Sequence, residues 1–272
     1  MRFKIQHLGL DGVLNQAIAV VKSHFGLLIR IMLIAWVPFN LISGLVQVAL
    51  MPQMPPNPTP EDVQRFMQGI TSNLPITLSI MFVAFLVVLP LTNAAVIYAV
   101  AELYLGRSVT AMEAIRKGAS RLGPLIWTTF LITVATLGGM VFCVVPGILF
   151  GLWFGLGHHV TVLENISGPQ ALGRSKQLVQ NYLGQFLVLG LIVAAISIAI
   201  SVGTAVIPQQ QIQVVVNVLV NAVLTVFSTT VFVVFYFSCR CGVENFDLEY
   251  LAAAVGDTVR TPVEPETGVD IE

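Results

Sequence analysis

Residues 167–200, SGPQALGRSKQLVQNYLGQFLVLGLIVAAISIAI, pass from a helix-start signal through a mixed-polarity segment and a glycine into a long apolar run. Two earlier stretches have the same layout: DGVLNQAIAVVKSHFGLLIRIMLIAW from Asp11 and TAMEAIRKGASRLGPLIWTTFLITVATL from Thr110. Each holds a Gln-Ala or Glu-Ala pair (Gln16-Ala17, Glu113-Ala114, Gln170-Ala171) and then a glycine (Gly26, Gly123, Gly184) at the edge of the apolar run. Alanine and glycine are nine residues apart in the first two copies and thirteen in the third. The difference is about one helical turn. The expected architecture is therefore a threefold internal repeat over about 8–105, 106–164 and 165–251. Each unit supplies one amphipathic helix and two spans.

Composition sets the class. Apolar residues make up 56% of the 272 and charged residues only 10%, with a mean hydropathy of +0.87. A soluble domain carries about a quarter charged residues, so the fold class expected is all-α integral membrane. No Asp, Glu, Lys or Arg occurs in 31–60, 66–101, 122–163 or 177–239. A span takes about 20 apolar residues. The first two gaps hold one span each, and the longer two hold two each. The folds fall at Gly138-Gly139 and Pro146-Gly147, and near Pro208. Six transmembrane helices follow, at 28–50, 76–101, 124–143, 147–164, 185–207 and 213–238. In lipid each must satisfy its own backbone, which a helix does within one segment.

Basic residues orient the bundle. With both termini inside, Arg65 alone of the 13 Lys and Arg falls outside. This positive-inside bias predicts a multi-pass protein of the bacterial inner (cytoplasmic) membrane. The N-terminus lacks a compact apolar core before a small-residue cleavage site, so the first span is expected to be retained. The acidic, proline-containing end, 252–272, reads as a disordered cytoplasmic tail. No basic, aromatic-interleaved surface points to nucleic acid.

Local signals add detail. Leu10, Val13, Leu14, Ala17, Ile18, Val21 and Phe25 recur at steps of three and four, as in an interfacial helix. Thr110-x-x-Glu113 and Ser167-x-x-Gln170 fit capping boxes, and Asp11 is the candidate cap of the first copy. Prolines 52–60 exclude regular structure. Thr59-Pro60-Glu61-Asp62 then predicts a short external helix over about 60–72. Asn93, Asn217 and Asn221 are polar candidates within spans. They read as interhelix packing groups, with a solute path as the alternative.

Candidate chemistry is sparse. His158-His159 with Glu164 lacks metal-ligand spacing, since adjacent helical residues diverge by about 100°. Cys239 and Cys241 make an incomplete zinc site, and Cys143 stands alone. Neither a phosphate loop nor a nucleophile elbow is present. No catalytic residue, metal or cofactor is expected. The charged residues Arg240, Glu244, Asp247 and Glu249 crowd the exit of the last span and suggest a docking point for the amphipathic helices.

Tyr236, Arg240, Glu244, Phe246, Asp247, Leu248 and Glu249 follow the spacing Y-x-D-x-R-x-R-x-E-G-x-D-L-E. In this it resembles multi-pass prokaryotic proteins related to the membrane domain of glycerophosphoryl diester phosphodiesterases. Pro146-Gly147-Ile148, Glu164, Ala171-Leu172, Arg174-Ser175 and Leu178 are similar to the same family's central pattern. The likeness runs over about 100–251 and the first repeat. Ser238 replaces the pattern's Asp, Gly242 its Arg and Asn245 its Gly, and none of these 272 residues is expected to form the catalytic barrel of those enzymes. The resemblance implies a stand-alone membrane module whose interaction residues are Glu164, Arg174, Ser175, Arg240, Glu244, Asp247 and Glu249. The expected role is a non-enzymatic scaffold or accessory protein in envelope lipid homeostasis, with the bilayer and another envelope protein as partners. A small lipid or solute transporter is the alternative, and a lipid-headgroup enzyme the more distant one.

Overall fold

The computed structural model describes residues 6–50, 52, 55, 58–244 and 246. Among these residues every regular element is helical, and six helical stretches are long and apolar enough to cross a membrane. The protein is thus an all-helical multi-pass membrane protein. Asp247, Glu249 and the expected tail lie outside the described residues.

Helix α1 (Leu10–Ala35) has two halves, because His24 leaves helical geometry at φ −125°, ψ 20°. The first half buries Val13 and Ala17 of the expected apolar face and Val20 outside it, while Ile18 and Phe25 of that face are exposed. The second half buries Leu28, Ile31 and Met32 and runs through Trp36 into α2 (Val37–Leu50). The helix long and apolar enough to cross is Leu10–Ala35, and Val37–Leu50 is a shorter apolar helix, so the span expected at 28–50 is divided between the two. Gly9 caps α1, and Asp11 sits in the first turn, so the expected Asp11 cap is not made. Its charge still favours the positive end of the helix dipole.

Helix α3 (Pro60–Val83) starts on a capping box: the Asp62 amide donates to Thr59 Oγ1 at 3.3 Å, and the Thr59 amide donates to Asp62 Oδ2 at 3.0 Å. The expected short external helix is not a separate element. Helix α3 continues through a π-helical turn, Ala84–Val88, into α4 (Leu89–Tyr104), giving 45 helical residues from Pro60 to Tyr104. Pro75 lies inside without ending the helix. Hydroxyls of neighbouring residues share the carbonyls here, Thr71 donating to Met67 and Ser79 to Pro75. The π turn lies just before Pro90, and the Leu89 amide donates five residues back to the Ala84 carbonyl. A widened turn is a common way to accommodate a proline ring.

Helix α5 (Ala111–Ser120) has the expected box between Thr110 and Glu113. Helices α6 (Leu122–Phe142) and α7 (Val144–Phe154) form a hairpin whose single non-helical residue is Cys143. The arms meet through glycines: a Cβ on Gly139 would lie 3.0 Å from Gly147 Cα, and one on Gly147 would lie 2.8 Å from the Met140 nitrogen. Helix α8 (Gly157–Leu163) completes that span. Helix α9 (Pro169–Val179) does not use the expected Ser167–Gln170 box. Gly168 is its cap, at φ 64°, and donates its amide to Thr128 Oγ1 at 3.0 Å. A Cβ there would collide with the Trp127 ring, so the α6 contact fixes this helix start. Helices α10 (Leu183–Ala205) and α11 (Gln210–Glu244) supply the last two spans.

The core lies toward one end of the bundle. There the first half of α1, α5, α9 and the last turns of α4 and α11 gather; we call this the basal end and the opposite one distal. Residues 229–239 of α11 are nearly all buried, whereas α2 and α3 bury no residue at all. Tyr104 ties the basal ends of α4 and α1 together, donating to Gln16 Oε1 at 2.5 Å.

Candidate functional site

The last turns of α11 place Tyr236, Arg240 and Glu244 four residues apart, hence on one face. The link between α8 and α9 brings Glu164 to that face, with Asn165 at φ 68° and Gly168 reversing the chain. Arg174 follows on the second turn of α9. Its Nε donates to Glu164 Oε2 at 2.7 Å, and its Nη1 pairs with Glu244 Oε1. Arg240 Nε donates to Glu244 Oε2 at 3.1 Å, and the Tyr236 hydroxyl donates to Glu164 Oε1 at 2.7 Å. The Arg240 guanidinium also lies over the Phe246 ring, 4.1 Å from its centroid. Two carboxylates and two guanidiniums thus alternate across three chain segments and sum to zero charge.

All four charged side chains are largely shielded, at 16–26% exposure. Shielding raises the cost of breaking such a cluster, because an abandoned partner stays desolvated. The hydrogen bond to Glu244 holds the Arg174 guanidinium still more firmly protonated than usual, against the opposing effect of partial burial; the bond to Glu164 adds to it.

Ser175 is buried beside this cluster and has a different task. Its hydroxyl accepts the Leu156 amide at 3.2 Å and donates to the Trp153 carbonyl at 2.7 Å. Those are backbone groups at the break between α7 and α8, so α9 repairs the break. Lys176 adds its ammonium over the Trp153 ring at 4.2 Å.

A second polar cluster at the same end was not foreseen. The Leu8 amide donates to Ser238 Oγ at 2.9 Å, and Gln185 Nε2 donates to the Leu8 carbonyl at 3.1 Å. His7 Nδ1 lies 3.2 Å from the Ser238 carbonyl oxygen, and its ring packs 4.9 Å from that of Tyr182. Gly242 closes the site: a Cβ there would strike the Tyr182 hydroxyl and lie 3.0 Å from His7 Nδ1. The segment before α1 is thereby latched between α10 and α11. Ser238 and Gly242 are two of the three departures from the family pattern described above, and both face this latch.

Of the intramembrane candidates, Asn217 and Asn221 bond to each other and Asn93 lies apart. Thr204 Oγ1 donates to Asn217 Oδ1 at 3.1 Å, and Asn221 Nδ2 donates to the Asn217 carbonyl at 2.9 Å. Thr204 ends α10, so this pair joins α10 to α11 near the distal turn. Asn93 is half-buried on α4, outside those bonds. His158 Nε2 meets Thr129 Oγ1 at 2.9 Å, while His159 is buried with its ring edge-on toward Phe232. Comparison with protein-family models, with curated proteins and with solved structures finds no match for this chain.

Proposed function

We propose that the chain is a non-enzymatic scaffold or accessory protein of the bacterial inner membrane, with its basal end and both termini in the cytoplasm. The observation that carries this reading is the engagement of Arg174, which bridges Glu164 and Glu244 across three segments. Its charges are spent on holding helices. Of the α11 asparagines, Asn217 accepts from Thr204 of α10 while Asn221 donates to Asn217 within the helix, which favours packing over a solute path.

The threefold repeat belongs to the same proposal. His24, Arg121 and Tyr182 all leave helical geometry, at (−125°, 20°), (−109°, 4°) and (−127°, 22°). Each stands two residues before the glycine of its copy: Gly26, Gly123 and Gly184. Ala17, Ala114 and Ala171 are all fully buried. Three amphipathic helices bending into three spans would present one interfacial platform at the basal end, with exposed Ile18, Phe25 and Met112 available to lipid or a partner. The resemblance of the 236–249 pattern to phosphodiesterase membrane domains is what suggests envelope lipid homeostasis as the context.

The test is capture of the tagged chain from native membranes in mild detergent, with identification of both proteins and lipids. The expected result is one envelope protein at fixed stoichiometry that recaptures the chain when itself tagged and loses it on Arg174→Ala. Substrate movement or hydrolysis by purified protein in liposomes, abolished by Arg174→Ala or by Asn217→Leu with Asn221→Leu, would overturn the scaffold reading.

A further inference from the structure

The 45 residues of Pro60–Tyr104 form one continuous helical stretch, about 68 Å long at ~1.5 Å per residue. A bilayer with its headgroups is about 45 Å thick. Counted from Tyr104, about 15 residues are left beyond the distal surface, roughly 60–74. Their composition agrees: Glu61, Asp62, Gln64, Arg65, Gln68, Thr71, Ser72 and Asn73 all fall there. Helix α3 therefore projects into water.

That projection carries an apolar stripe. Val63, Met67, Ile70 and Leu74 are 43%, 57%, 42% and 47% exposed. Their steps of four, three and four are those of heptad d and a positions, and the register returns at Met81. The chain's own packing uses the neighbouring face. Asn73 Nδ2 donates to the Leu50 carbonyl at 2.6 Å, and a Cβ on Gly69 would lie 2.7 Å from Pro52.

The flanks say which occupant fits. Positions beside the stripe hold Gln64, Phe66, Thr71 and Asn73, none of them charged, while Glu61, Asp62 and Arg65 point elsewhere around the helix. Two identical seams then meet without like-charge repulsion, which flanking e and g charges would otherwise impose. Two copies inserted in one orientation also present their α3 helices parallel and at the same height, so identical positions face one another. We infer that α3 pairs with α3 of a second copy of this chain, in a parallel two-helix seam outside the bilayer built on Val63, Met67, Ile70 and Leu74. This inference is independent of the basal-end function.

Disulfide trapping in native membranes tests it. With Cys143, Cys239 and Cys241 replaced by serine or alanine, Ile70→Cys is expected to give a covalent dimer on mild oxidation. Arg65→Cys, on the far side of the helix, is expected to stay monomeric. Equal trapping at both sites, or none at Ile70, would overturn the pairing and point to a lipid surface or a different protein as the cover. In the otherwise unaltered chain, Met67→Glu with Ile70→Glu should shift the mass in mild detergent from two copies to one. Both sites are exposed, so the thermal transition should stay in place. A mass unchanged by the two substitutions would equally sink the proposal.

Discussion

The two ends of the bundle are built on different principles. At the basal end, charged and hydroxyl side chains from distant parts of the chain lock together: Arg174 with Glu164 and Glu244, and Ser238 with the Leu8 amide across 230 residues. At the distal end, α2 and α3 bury nothing, the α6–α7 hairpin meets through glycines, and the polar ties join neighbouring elements, Thr204 to Asn217 and Asn73 to the Leu50 carbonyl. Long-range polar bonds are strong where water is scarce but costly when broken. Close glycine packing gains only dispersion energy, which is how helices associate in lipid. One end is therefore pinned, and the other is free to be covered by something else.

The largest effect that tests this contrast comes from Arg174→Ala. It leaves Glu164 and Glu244 shielded without their shared cation, and losing one partner of such a cluster costs about 3 kcal/mol. Thermal unfolding in detergent should show a clear drop in Tm. At the distal end Arg65→Ala removes an exposed pair with Glu61 at 3.8 Å, worth under about 1 kcal/mol. Equal losses from the two substitutions would erase the distinction between the ends.

A middle-sized effect sharpens it. Gly242→Ala pushes a methyl into Tyr182 and His7. Overpacking of this kind costs about 1–3 kcal/mol. Amide exchange at Leu8 should rise as the latch loosens, whereas Gly138→Ala, whose Cβ meets open space, should leave it unchanged.

The smallest effect is a pH dependence at the basal end. The Thr110 amide, and then its hydroxyl, hold the Glu113 carboxyl below its ordinary value of 4.5. A depressed carboxylate contributes stability above its unfolded value and loses it as pH falls through the folded one. Tm should therefore decline from about pH 4.5 downward, and Glu113→Gln should shrink that slope. An identical slope in the variant would remove the cap from the account.

Much of this arrangement was legible in the sequence, for identifiable reasons. The charge-free stretches marked the spans because an ion in hydrocarbon is too costly to leave in place by chance. Arg240 and Glu244 were legible as charges crowding the exit of the last span, and Glu164 and Arg174 were singled out only as interaction candidates, without their pairing. The continuity of α3 with α4 was hidden, because the polar run 61–73 reads as a separate external helix, whereas Pro75 lies inside one uninterrupted helix. The Gly168 cap was hidden too, since it depends on Thr128 and Trp127 in another helix. The latch of Leu8 on Ser238 has no local signature, because its two halves lie at opposite ends of the chain.

The balanced quartet at the basal end has an electrical consequence. Residues 122–163 and 177–239 carry no ionised Asp, Glu, Lys or Arg, and the four charges that pin the bundle cancel. A membrane potential does about 2.3 kcal/mol of work per elementary charge moved through 100 mV. Sliding these helices moves almost none, so energising or collapsing the potential exerts little force on them. Any input that rearranges this bundle must arrive as a push on its exposed ends.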